Sequence, residues 1–206
     1  MASDPRDLKA GRMRVKMNLA EPPQTRQESY FEPNEERLKK EEQRLKDDLE
    51  LLLQIYLAGS ISKILAFALG LDIVKNARNR IVDMINESAV ETGLREITEI
   101  SNEFLKMIAD DLKKFLDGIE DKTLSVERQS FFINLLSSYI IFKSLADNTE
   151  LLARTNSLTT LLWVIVDDEK TCDLCRENEG LHDITSLPPM PAHYSCRCFW
   201  ILPGGQ

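Results

Sequence analysis

All four cysteines and both histidines of this chain fall in CDLCRENEGLHDITSLPPMPAHYSCRC, residues 172–198. Cys172 and Cys175 form C-x-x-C, the spacing at which one turn lets two thiolates share a tetrahedral ion. Beyond the loop 176–195 stand Cys196 and Cys198, two positions apart, so on a strand both thiols point to one face. His193 precedes Cys196 by three, a separation that a turn closes. Five donors, Cys172, Cys175, His193, Cys196 and Cys198, are thus gathered where a structural zinc takes four ligands. Spacing favours Cys172 and Cys175 with two of the other three, and leaves one donor spare. His182, which follows Gly180, reads as a surface residue of the intervening loop.

The rival fates for these thiols are free cysteines, or disulfides in a particle exposed outside the cell. The N-terminus carries no basic start followed by an apolar core and a small-residue cleavage site, so the expected setting is reducing. There, clustered thiols are more often metal ligands than disulfides. A structural rather than catalytic zinc is expected. No H-x-E precedes Cys172 as in the zinc deaminases, and H-E-x-x-H, a phosphate-cradling glycine loop and G-x-S-x-G are all missing. Asp167, Asp168 and Glu169 read as the turn leaving a strand rather than as acid–base groups.

The elements that must position this cluster are mainly α: a bundle of long helices with a small C-terminal β-ribbon or zinc-binding module. Residues 1–33 read as an extended arm, broken by Pro5, Pro22, Pro23 and Pro33 and made mildly basic by Lys9, Arg12, Arg14, Lys16 and Arg26. Such an arm has the charge to touch nucleic acid, although the net charge of −8 argues against a wholly basic binding surface. A helical body spans 34–158. Asn34 is a candidate N-cap for a helix that runs through the apolar stretch 51–71 to about Gly70. Apolar stripes predict further helices over 71–92, 94–119, 126–147 and 149–158. The stretch 51–71 is long enough to span a bilayer, but Lys63 near its middle argues for protein contact instead. Leu53, Leu57, Ile61 and Ile64 are therefore candidate contacts to a partner or to a second copy. From 159 to 206 the texture changes, with β-rich runs at TLLWVIVDD and CRCFWIL bracketing the cysteine-rich loop.

Read in order, LLART, WVIVDDEKTCDLCRENEG and PPMPAHYSCRC resemble the C-terminal domain of the Mu F-like minor head proteins of tailed phages, the head morphogenesis family. The residues that carry the likeness are Ala153, Arg154 and Thr155; Asp167 or Asp168; Cys172, Cys175 and Gly180; then Pro191, His193, Cys196, Arg197 and Cys198. It covers roughly residues 150–203. Two departures stand out: Asn156 replaces an acidic residue common after the triplet, and Tyr194-Ser195 replaces a frequent Pro-Asn. The resemblance implies a virion component rather than an enzyme, made in the host cytoplasm and placed in the capsid interior or at the portal vertex. Its implied partners are the portal protein, other capsid proteins and packaged DNA, and its implied role is head assembly and DNA packaging or ejection. The alternative from another class is a cellular zinc-ribbon adaptor that binds a protein through its helical body.

Overall fold

The computed structural model describes residues 33–98, 103–165 and 171–203. The basic arm and the acidic run Asp167, Asp168 and Glu169 lie outside those residues, apart from Pro33.

Asn34 caps α1 (Glu35–Leu57), its side chain accepting from the Arg37 N–H at 3.0 Å. The helix expected to continue to Gly70 is in fact two. After Leu57 the chain closes with Gly59 at φ +70, the Gly59 N–H on Tyr56 O and the Ser60 N–H on Ile55 O. That pair of bonds is a Schellman C-cap, which needs a residue in the left-handed region, and glycine takes it without a steric cost. Ser62 then caps α2 (Lys63–Glu91) by accepting from Leu65 N. The break is written in AGSIS, where a C′ glycine is followed within a turn by a serine N-cap. Gly70, expected to end a helix, lies buried inside α2. Lys63, the cation that argued against a bilayer, bridges Asp117 and Glu120 of α3 (Glu103–Glu120).

Two further boundaries differ from expectation. Residues 94–98 are not helical, because two asparagine side chains hold their backbone. Asn86 bonds both the N–H and the C=O of Ile97, and Asn156 bonds both of Arg95. Each amide replaces helix hydrogen bonds with its own. The helices expected at 126–147 and 149–158 are one element, α4 (Val126–Thr155), capped by Ser125. Nothing between them breaks a helix, and Asn148 stays inside it by donating to Ser144 O at 2.6 Å.

The two strands expected to bracket the cysteine-rich loop do pair, and a third joins them in an antiparallel sheet ordered β2-β1-β3, made of β1 (Thr160–Val164), β2 (Gly180–Asp183) and β3 (Phe199–Ile201). A one-turn helix, α5 (Asp173–Glu177), lies between β1 and β2. The core is continuous, from Leu45 of α1 through Ile81 of α2, Ile108 of α3 and Ile141 of α4 to Trp163 and Trp200 of the sheet. Trp163 and Trp200 face each other across β1 and β3, edge to face at 5.2 Å, and β3 packs on α4. Helices and sheet together make the mainly α architecture expected.

Candidate metal centre

Two short turns of the same kind build the cluster. Cys172 is the N-cap of α5, and the Cys175 N–H closes on Cys172 O at 3.1 Å. In the second turn the Cys196 N–H closes on His193 O at 2.9 Å. Each turn presents two donors from its first and last residues. The Cys172 and Cys175 sulfurs are 3.5 Å apart, and His193 Nε2 lies 3.1 Å from the first and 3.6 Å from the second. Cys196 Sγ is 3.5 Å from Cys175 Sγ. Bond lengths of about 2.0–2.3 Å in a tetrahedral zinc site put its donors roughly 3.5–3.8 Å apart; three of the four separations reach that range and the Cys172–His193 pair is closer, at 3.1 Å.

All five donors expected from the sequence meet here, as two overlapping groups: Cys172, Cys175 and His193, and Cys175, Cys196 and Cys198. Cys175 is common to both. None of the four cysteines is in a disulfide. Their acidities reflect crowding. Hydrogen bonding from Cys198 pulls the Cys196 thiol down to about 5, whereas burial pushes Cys175 up to about 12. Cys198 is raised too, first by its hydrogen bond to Cys196 and then by burial. One sulfur thus holds negative charge readily and its neighbours resist a second one. A divalent cation removes that conflict by binding several thiolates together. The arrangement can hold a metal ion.

His182 is not the loop-surface residue expected. It sits half-buried on β2, its ring 5.5 Å from that of Trp200 and 6.2 Å from that of Trp163. Its Nε2 lies 2.7 Å from Asn178 O, and it belongs to neither donor group.

Sequence reasoning missed the residue that ties the cluster to the helices. Tyr194, next to His193, stacks on Tyr139 of α4 at 4.4 Å and donates to Asp111 of α3 at 2.6 Å. Only its place beside a candidate ligand could have pointed to it. The Asp111 carboxylate pushes the Tyr194 phenol up to about 12. A raised folded-state pKa gives stability that is complete below about pH 10 and is lost as pH rises towards about 12. Tyr194→Phe is therefore expected to cost about 1 kcal/mol at neutral pH, the usual net worth of one hydrogen bond. The difference from wild type should shrink across that alkaline window in denaturant titrations. A difference that stays constant there would assign the loss to packing on Tyr139 instead.

The fold and site together define a mainly helical protein with a small C-terminal Cys/His module that can hold a metal ion. No family model, curated protein or solved structure matches the chain. Among the described residues no helix is long and apolar enough to cross a membrane.

Proposed function

We propose that the chain is a minor head protein of a tailed phage, associating with the portal vertex and assisting head assembly and DNA packaging or ejection. The observation that carries this is the ordered set of residues shared with the Mu F-like family, several of which hold structural posts in this fold. Ala153 is fully buried in the core. Arg154 reaches from α4 to the chain beyond β2, donating to Ile184 O at 2.9 Å. Gly180 opens β2 at φ +129, and Pro191 follows a cis peptide bond two residues before His193. A zinc held by the cluster would be structural, fastening a module whose three strands are too short to stand alone.

The α1–α2 hairpin supports an assembly role. At about 3.6 residues per turn, Leu51 shares a face with Arg37, Ile55 with Glu41, and Leu69 with Arg80. Arg37 pairs with Glu87 and Arg80 with Glu41 across the α1–α2 seam. The outer side of that seam therefore changes from ion pairs at one end to exposed Leu51, Ile55, Leu65 and Leu69 at the other. Beside the hairpin tip, Leu57 is 53% exposed and Ile64 is 82% exposed, whereas Leu53 and Ile61 are half-buried against the core. Exposed apolar residues concentrated in this way mark a surface that another protein covers, here a ring subunit of the portal.

Quantitative mass spectrometry of purified particles tests the proposal. A few copies per particle, or about one per portal subunit, is the expected result, and loss of the chain from particles is expected for Ile64→Asp. The same substitution should leave the melting of the isolated chain within about 0.5 kcal/mol of wild type, as befits an exposed site. Absence of the wild-type chain from both mature particles and assembly intermediates would overturn the phage reading and favour the cellular adaptor.

A further inference from the structure

We infer that residues 12–19, RMRVKMNL, add as a fourth strand to the open edge of β2, so that the chain's own N-terminal arm extends the small sheet. Those residues lie outside the described ones; the edge that would receive them does not.

That edge is bare on one side of the sheet only. β1 lies between β2 and β3, and β3 is buried at all three residues and packs on α4. β2 instead alternates half-buried and exposed residues, and among the described residues no strand pairs with its outer side. Leu181 is 56% exposed there, opposite the half-buried Leu162 of β1. An unpaired edge with an apolar side chain on it is a template for another strand. The arriving segment gains main-chain hydrogen bonds and covers the apolar face. In RMRVKMNL, Arg12, Arg14, Lys16 and Asn18 alternate strictly with Met13, Val15, Met17 and Leu19, the period of a strand covered on one face. Gly11 precedes the segment and Pro22 and Pro23 follow it, as breakers bound a strand.

Charge chooses the occupant. Asp173, Glu177, Glu179 and Asp183 are exposed along α5 and β2, and Arg176 is the one arginine or lysine among residues 172–184. Asp183 accepts from both the N–H and the hydroxyl of Thr185, which favours its charged form. Pairing with the β2 edge of a second copy would set acids against acids, whereas Arg12, Arg14 and Lys16 bring three cations.

The arm also starts from the right end of the bundle. Arg37, in the first turn of α1, pairs with Glu87 near the end of α2. The segment after α2 is held by Asn156 at the end of α4, and Thr160, just beyond, pairs with Asp183 of β2. The start of α1 and the end of β2 are thus separated by roughly three helix widths, about 30 Å. Residues 20–32, thirteen in all, span up to about 45 Å when extended.

Amide hydrogen exchange of the full chain in zinc-containing buffer, read by mass spectrometry, tests the pairing. Residues 12–19 and β2 are expected to exchange about tenfold more slowly than in Arg14→Pro/Val15→Pro, with α1 to α4 unchanged. Successive N–H groups of a strand point to opposite sides, so one of the two prolines must remove a donor that faces β2. Residues 12–19 exchanging equally fast in wild type and in the proline variant would overturn the inference. Reversing the charges, Arg12→Glu/Arg14→Glu/Lys16→Glu, should release both segments, and protection that survived the reversal would overturn the choice of occupant. Protection that rises with protein concentration would assign the strand to the edge of a second copy, and protection that needs added DNA would assign the arm to nucleic acid. Either outcome overturns pairing within one chain.

Discussion

Stripping the metal-loaded full chain with a strong chelator is expected to unfold residues 171–203 while α1 to α4 keep their helical signal. The same outcome is expected for Cys175→Ser, because Cys175 is the one donor common to both groups of the cluster. The reason is how little regular secondary structure orders this part of the chain. Only α5, β2 and β3, of five, four and three residues, are regular between Thr171 and Pro203. Fixing each residue costs about 1–2 kcal/mol of backbone entropy. Binding of a metal ion by the cluster would offset part of that cost. Acid should have the same effect as chelator, since thiols must lose protons to bind, and burial already opposes that loss at Cys175. Near-ultraviolet circular dichroism of Trp163 and Trp200 would report the loss, and amide exchange would locate it. Unchanged tryptophan signal and protection in chelator, with metal shown to be gone, would mean that packing alone holds the module.

How much of this was legible beforehand depended on whether the signal was local. The donor set was readable because metal-ligand spacing needs only neighbouring residues, and all five donors do converge. The helix start at Asn34 was readable for the same reason, since a cap is a contact across three positions. The stop at Gly59 was equally local and was overridden by the long apolar run on both sides of it. By contrast, the unwound segment 94–98 depends on Asn86 and on Asn156, the latter 61 positions from Arg95. No periodicity carries that information. Leu94 and Ile97 do fit a helical stripe, but Ile97 is buried and Leu94 half-buried from a segment that is not helical. The third strand was hidden likewise: GLHD is short and half-exposed, and it is a strand because β1 offers it an edge. Tyr194 was invisible as an anchor because both of its partners lie on distant helices. Asn156 is instructive in another way. It departs from the acidic residue common at its place in the resembling family, and here it uses its amide both to donate and to accept. An aspartate could supply only the accepting half.

Trp200→Ala should have the other large effect, and it probes the junction rather than the metal. Trp200 is 1% exposed and pairs with Trp163 across the strands, with the His182 ring against its edge. Its indole also lines the cleft between α4 and the chain that follows β2, near Ala146 and Glu150 of α4 and Ile184 and Met190 beyond β2. Truncating a tryptophan so placed costs about 3–5 kcal/mol, the removed burial plus the cavity left behind. Loss of the edge-to-face contact with Trp163 falls within that range. The consequence reaches the cluster, because β3 begins just after Cys198 and Cys196 lies only three residues before it. Loosened pairing of β3 lets the second turn move relative to the first, so zinc affinity should fall alongside stability. A variant that lost stability by the expected amount yet held zinc as tightly as wild type would show that the two turns form the site without the sheet. In that case the sheet only attaches the centre to α4. If affinity and stability fall together, the tryptophan pair is what carries the rigidity of α4 into the metal centre, and the helical body and the module act as one mechanical unit.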